Sequence, residues 1–255
     1  MILLIDRVLS VLVDGQKIAE GCRLKLSGVL TLSLYPDLLN LRIYNLSDSS
    51  YVLLKQGKEI SVSNGLSLLS YGIIHDVVKT TVRSGVVIDV GFSFGYDFWH
   101  AVCSVSLNAG MSASETIRYL LAASDVDYQL LSFPVLDPIF SRPQVFYGRL
   151  SDAIISVASA ASGICCLVSG GLIVVPDKSS SVDVNLSDSD IIDSPSYMPD
   201  YALFRTIPKG WPIGRRVLVK YQGREFFGLI IENEFIADTK SGLFLSQLVV
   251  RKELL

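Results

Sequence analysis

Arg23-Leu-Lys-Leu-Ser-Gly-Val-Leu-Thr-Leu-Ser-Leu34 alternates apolar residues with polar, charged or small ones for much of its length. Successive side chains of a strand point to opposite faces, so this pattern predicts a half-buried strand. The neighbouring segments agree. Pro36-Asp37 is a turn and Leu41-Arg-Ile-Tyr44 a further strand; upstream, Asp14-Gly15 separates a loosely alternating Ile2 to Val13 from Lys17-Ile-Ala-Glu20. Downstream, Ser47 or Asp48 caps a short helix that ends at Gly57. Lys58-Glu-Ile-Ser-Val62, Leu66 to Ile74, Val77 to Val82 and Val86 to Val90 continue the sheet, with Asn64-Gly65 as a hairpin turn. Short strands at this spacing predict a β-rich α+β protein, with barrel-like antiparallel β domains and a few short helices.

The middle of the chain changes character. Tyr96 to Val102 reads as a helix. Ser112-Ala-Ser-Glu115 is a capping box opening a helix through Leu121, because the serine hydroxyl meets the amide three residues on while the glutamate reaches back. Pro134, Pro138 and Pro143 mark a bent connection. Ala153 to Pro176 carries no charge and is long enough to cross a bilayer. Its serines, Gly163, Gly170-Gly171 and lack of basic or aromatic anchors predict a small-residue helix over Leu150 to Ala161, then two strands in a hairpin, and no stable membrane span. The expected organisation is a barrel-like unit over 1–95, an α+β unit over 96–178, a Ser/Asp-rich linker over 179–200, and strands over 201–255 that pack on the barrels.

Composition narrows function. Lys and Arg number 22 against 25 Asp and Glu, so a strongly basic nucleic-acid footprint is absent. Charged residues make up 18% against about 25% in ordinary domains, which points to surface covered by partners or by copies of the chain. Cys22, Cys103, Cys165 and Cys166 lack zinc-site spacing and read as small buried hydrophobes of a reducing compartment.

Candidate chemistry is sparse. His100 could be a base oriented by Asp97, or part of a helix facing the core. His75-Asp76 falls between two apolar strands, where adjacent side chains diverge. Asp183, Asp188, Asp190 and Asp193 offer oxygen ligands but lack the Gly and Glu of an EF-hand loop, and read as a solvated linker. Asp125 and Asp127 face water, and Arg215-Arg216 reads as a solvated strand edge. Gly91-Phe-Ser-Phe-Gly95 is not a phosphate loop, and Ser169-Gly-Gly171 fits a hairpin better than a nucleophile elbow. No catalytic, cofactor or metal residue is assigned.

The order of elements carries a resemblance. Leu41-Arg-Ile-Tyr-Asn-Leu-Ser47, the short helix, Gly57-Lys-Glu-Ile-Ser-Val62, Leu69-Ser-Tyr-Gly-Ile-Ile74 and Val86-Val-Ile-Asp-Val90 follow in turn. The capped helix at Ser112, Phe146-Tyr-Gly-Arg-Leu150 and Cys166-Leu-Val-Ser-Gly-Gly-Leu-Ile-Val-Val175 come later. This series resembles the baseplate (tail) hub proteins of long-tailed bacteriophages, and the related base of the type VI secretion spike, over roughly residues 1 to 178. Gly91-Phe-Ser-Phe-Gly95 stands where the family has Asp-Gly, and the chain beyond Pro199 matches loosely.

The resemblance implies a non-enzymatic virion protein assembled in the host bacterial cytoplasm. It would form a trimeric ring joining tail tube to central spike and anchoring the baseplate, with DNA passing through without specific binding and with no cofactor. Two alternatives stay open: another tail component, such as a distal-tail or tube-initiator protein, and a tail-associated peptidoglycan hydrolase. The hydrolase would draw on Asp97, His100, Glu115 and the Asp188 to Asp193 group.

Overall fold

The computed structural model describes residues 8–65, 67–133, 136–168, 171–176, 181–240 and 243–253. The apolar start over 1–6, Pro134, the hairpin tip at Ser169 and Gly170, the first residues of the expected linker and the end of the 238–242 loop lie outside the described residues. The chain opens with β1 (Leu9–Val13), β2 (Gln16–Ile18), β3 (Arg23–Thr31), β4 (Asp37–Tyr44), α1 (Asp48–Gln56), β5 (Glu59–Asn64), β6 (Ser67–Val82) and β7 (Gly85–Phe94). There follow α2 (Tyr96–His100), β8 (Val102–Leu107), α3 (Ala113–Ala123), β9 (Gln129–Ser132), β10 (Gln144–Arg149), α4 (Leu150–Ala160), β11 (Gly163–Val168) and β12 (Gly171–Pro176). The rest is β13 (Val184–Leu186), β14 (Ser196–Tyr197), β15 (Tyr201–Thr206), β16 (Arg216–Tyr221), β17 (Arg224–Asp238) and β18 (Phe244–Lys252).

The architecture is β-rich with few, short helices. One sheet runs β14-β15-β18-β17-β3-β4-β7-β6-β5-β1-β2, with β16 joined to β17 and β13 to β16. Its pairings are antiparallel except β13 with β16, and among the described residues the strand path does not close on itself. The alternation of the opening stretch is realised in β3: Leu24 and Leu26 are buried and Lys25 and Ser27 face away.

Leu26, Leu41, Val90, Val62 and Val11 belong to one core, so the ribbon from β17 to β1 bends around a shared interior with Leu54 of α1 inside it. A second core joins Phe98, Ile117, Leu120, Ile154 and Val157 of the helices to Cys165, Leu167 and Val174 of the β11–β12 hairpin. A third gathers Phe204, Trp211, Val217, Phe226, Ile230 and Leu248 against Cys166 and Ile173. Adjacent cysteines therefore face two different cores, and Cys103, Cys165 and Cys166 are buried thiols.

One strand is longer than its sequence signals. The segments on either side of His75-Asp76 form one strand, β6, rather than two. It pairs with β5 up to Ile73 and with β7 from there onward, with an irregularity between Ile74 and Asp76. An extra residue at a bulge re-aims a strand, and here it falls where β6 changes partner. β17 does the same between Ile230 and Glu232, passing from β16 to β3 while staying paired with β18. Its Phe226 lies in the third core and its Phe235 in the first.

The helix ends follow local chemistry. Ser47 Oγ accepts from the Ser50 amide at 3.3 Å and Gly57 ends α1. At α3, Ser112 Oγ accepts from the Glu115 amide at 3.3 Å, and Glu115 Oε2 accepts from the Ser112 amide at 2.9 Å. Ser112→Ala is expected to lower the unfolding free energy by about 1 kcal/mol, read by urea unfolding; no loss would mean that the cap does not hold this helix.

Candidate functional sites

The hydrolase candidates are engaged separately. Asp97 Oδ1 accepts from the Tyr128 hydroxyl at 3.1 Å, whereas His100 stacks on Tyr96 at 4.4 Å between centroids. His100 is exposed, and it is Phe98 that turns inward from α2. Glu115 closes its capping box. Asp188 accepts from the Gln222 amide at 2.9 Å, Asp190 pairs with Lys209 at 2.8 Å, and Asp193 pairs with Arg205 at 3.2 Å. These carboxylates fasten the 183–193 segment to β15, β16 and the connections beside them. Among the described residues no three His, Cys, Asp or Glu side chains gather as a metal site. Asp125 and Asp127 are exposed.

His75 shares a hydrogen bond with Ser93 Oγ and also packs on Tyr96 at 4.4 Å between centroids, so both histidines contact one tyrosine. This stack ties the β6 bulge to α2.

Arg216 corrects the expectation of a solvated edge. Arg215 is exposed, but Arg216 is 2% exposed and pairs with Glu253 at 2.7 Å. Its Nη2 donates to the Pro176 carbonyl at 2.7 Å, and its amide donates to Asp183 at 2.9 Å. A buried guanidinium persists only with its charge matched and its donors engaged. The partner lies 37 residues along the chain.

The exposed apolar surface is uneven. On the two-stranded sheet of β8 and β10, Val102 (69% exposed), Val145 (75%) and Tyr147 (90%) stand on the solvent face. Beside them Arg149 lies over the Trp99 ring at 5.0 Å, and Trp99 stacks on Tyr35 at 4.5 Å. Single exposed apolar residues are ordinary, but a run of them on one face marks contact surface.

A cavity of about 320 Å³ lies where the three cores meet. Leu30 and Asp37 enter it from β3 and β4, Ser70 and Tyr71 from β6, Leu167 from β11, and Trp211 from the 210–213 loop. Gly210 seats that loop: its φ is +65°, and a Cβ there would fall on the Leu68 carbonyl oxygen. Burial raises the Asp37 carboxyl from 3.8 to about 7, against the bonds that its Oδ1 accepts from the Thr31 amide at 3.1 Å and hydroxyl at 3.0 Å. Pro36-Asp37 signals only a turn in the sequence, because the walls of this cavity come from distant segments.

A raised carboxyl favours folding while protonated. That contribution is complete below the unfolded value near 3.8 and is lost as pH rises through about 7. Asp37→Asn keeps the acceptor oxygen without the charge. Its melting temperature is expected to exceed that of the unaltered protein at about pH 8 and to match it near pH 4. Calorimetry at both values decides this; an equal difference at both would contradict the burial of a titrating carboxyl.

No protein-family model matches the chain, and no curated protein does. Among solved structures, the tail protein from Neisseria meningitidis aligns over 96% of both chains, with a TM-score of 0.70 at 12% identity. The tail protein of prophage MuSo2 from Shewanella oneidensis aligns over 95% of this chain and 97% of its own, with a TM-score of 0.70 at 13% identity. The chain has the fold of these tail proteins. The E. coli c3393 protein, a type VI secretion component described as structurally similar to the T4 tail proteins gp27 and gp5, aligns with a TM-score of 0.66 at 10% identity. That match covers 95% of this chain and 77% of c3393. The likeness extends through the C-terminal strands, where the sequence resemblance was loose. No helix among the described residues is long and apolar enough to cross a membrane.

Proposed function

We propose that this protein is a structural component of a bacteriophage tail, the baseplate hub, forming a trimeric ring that joins the tail tube to the central spike. The observation that carries the reading is the alignment over nearly the full length of two tail proteins, one of them from a prophage, together with a type VI secretion component compared with gp27 and gp5. The strand path supports it. Its ends, β14 and β2, are different edges, and a head-to-tail contact between unlike surfaces generates a ring when the rotation closes. The apolar face of β8 and β10 and the low charge fit a molecule surrounded by partners. The scattered candidate residues favour a non-enzymatic role.

Electron microscopy of a tail containing the chain tests this position. Three copies around the axis between the last tube ring and the spike are expected. Placement within the tube or in a distal-tail ring would replace the hub reading with another tail component. Clearing of peptidoglycan by the purified protein, lost on changing His100 or Glu115, would support the hydrolase instead.

A further inference from the structure

We infer that the cavity bounded by Asp37, Ser70 and Trp211 is a binding site for a primary ammonium group on a short aliphatic stem, the chemistry of a lysine side chain. The inference stands apart from the hub reading. Two polar atoms in the cavity wall are left open. Ser70 is 5% exposed and its Oγ has no hydrogen-bond partner among the described residues. Asp37 takes both Thr31 bonds on Oδ1, which leaves Oδ2 free, and no described Lys or Arg pairs with it. Buried polar atoms are nearly always satisfied, so the Ser70 hydroxyl, in one cavity with a half-buried carboxylate, calls for a partner from outside.

The rest of the lining selects the class. Tyr71 and Phe94 meet edge to face at 6.3 Å, and Trp211 closes the opposite segment. Aromatic faces attract cations, more so where water is excluded. An anion would meet the Asp37 carboxylate, and a neutral hydrocarbon would leave that charge unmatched. An ammonium supplies three donors and no acceptor, which suits Oδ2, Ser70 Oγ and a ring face. The volume suits a small ligand or one side chain rather than a cofactor. Lys209 on the adjoining loop lies over the Trp211 ring at 5.8 Å and pairs with Asp190, so it is not a partner of Asp37, and the ring faces left to a ligand are those of Tyr71 and Phe94.

The charge on Asp37 sets the pH dependence of binding. Around it, Tyr71 on β6, which is bonded to Glu59, and Cys166 on β11 are both pushed by burial to about 12 and stay neutral, so of these three lining groups it is Asp37 that changes charge near neutrality.

Trp99 and Trp211 are the two tryptophans of the chain, so in a W99F background the fluorescence reports Trp211. Titration with n-butylamine is expected to give a saturable change, with n-butanol at least about tenfold weaker. Affinity for the amine is expected to fall about 30-fold between about pH 8 and pH 5.5, as Asp37 takes up its proton. Asp37→Asn abolishes this preference for the amine, and Ser70→Ala weakens amine binding several-fold while leaving the fold intact. A capped lysine amide that binds more tightly than butylamine assigns the site to a partner's side chain; the reverse order assigns it to a free amine. Equal binding of amine and alcohol, unchanged binding by the Asp37→Asn protein, or no saturable change with any probe would overturn the inference.

Discussion

Replacing Glu253 with alanine is expected to lower the unfolding free energy by about 3–5 kcal/mol, the scale for leaving a buried charge without its partner. Arg216 and Glu253 are both almost wholly enclosed, at 2.7 Å. With the carboxylate gone, the guanidinium keeps the Pro176 carbonyl but no counter-charge. Arg251, which also reaches Glu253 at 3.3 Å, is partly exposed and can turn to water. The double change R216M/E253L removes both charges and fills the space with apolar groups, so it should cost much less than Glu253→Ala alone. Urea unfolding of the three proteins decides it. If the double change is as damaging as the single one, packing rather than uncompensated charge is the cause.

Phe204→Ala is expected to cost a similar amount, about 3–5 kcal/mol, by emptying the centre of the third core. Phe204 is fully buried, with the Phe226 ring at 5.7 Å and Tyr197 at 6.1 Å. Those rings come from β15, β17 and β14, so the cavity cannot close by moving one segment. Arg205, the next residue, faces solvent with Asp193, and Arg205→Ala should cost less than about 1 kcal/mol. A small loss for Phe204→Ala, or equal losses for the two variants, would mean that residues 184–250 do not build a core of their own.

What could be read from the sequence is what neighbours in the chain decide. The alternation at Arg23 to Ser27, the Ser47 and Ser112 caps, the stop at Gly57 and the small-residue helix before Gly163 depend on residues a few positions apart, and each appears in the fold; beyond Gly28 the alternation expected up to Leu34 is not kept, and β3 ends at Thr31. What could not be read is decided across the chain. The continuity of β6 past His75 reflects a change of sheet partner, which periodicity does not record. Arg216 looks like any strand-start arginine until Glu253 arrives beside it. The Ser/Asp-rich stretch carries β13 and β14 because Leu186 and Ile191 are drawn into the third core, while its aspartates bond outward. The candidate site shows the same limit. Asp37 and Ser70 carry no motif, and only the meeting of three cores makes them neighbours of Trp211.

Light scattering on the purified protein as it elutes from a sizing column addresses the hub assignment most directly. A mass three times the 27.9 kDa of the chain, unchanged on dilution, is the expected result. A species of 27.9 kDa at every concentration, which binds neither tube nor spike protein when these are added, would contradict it.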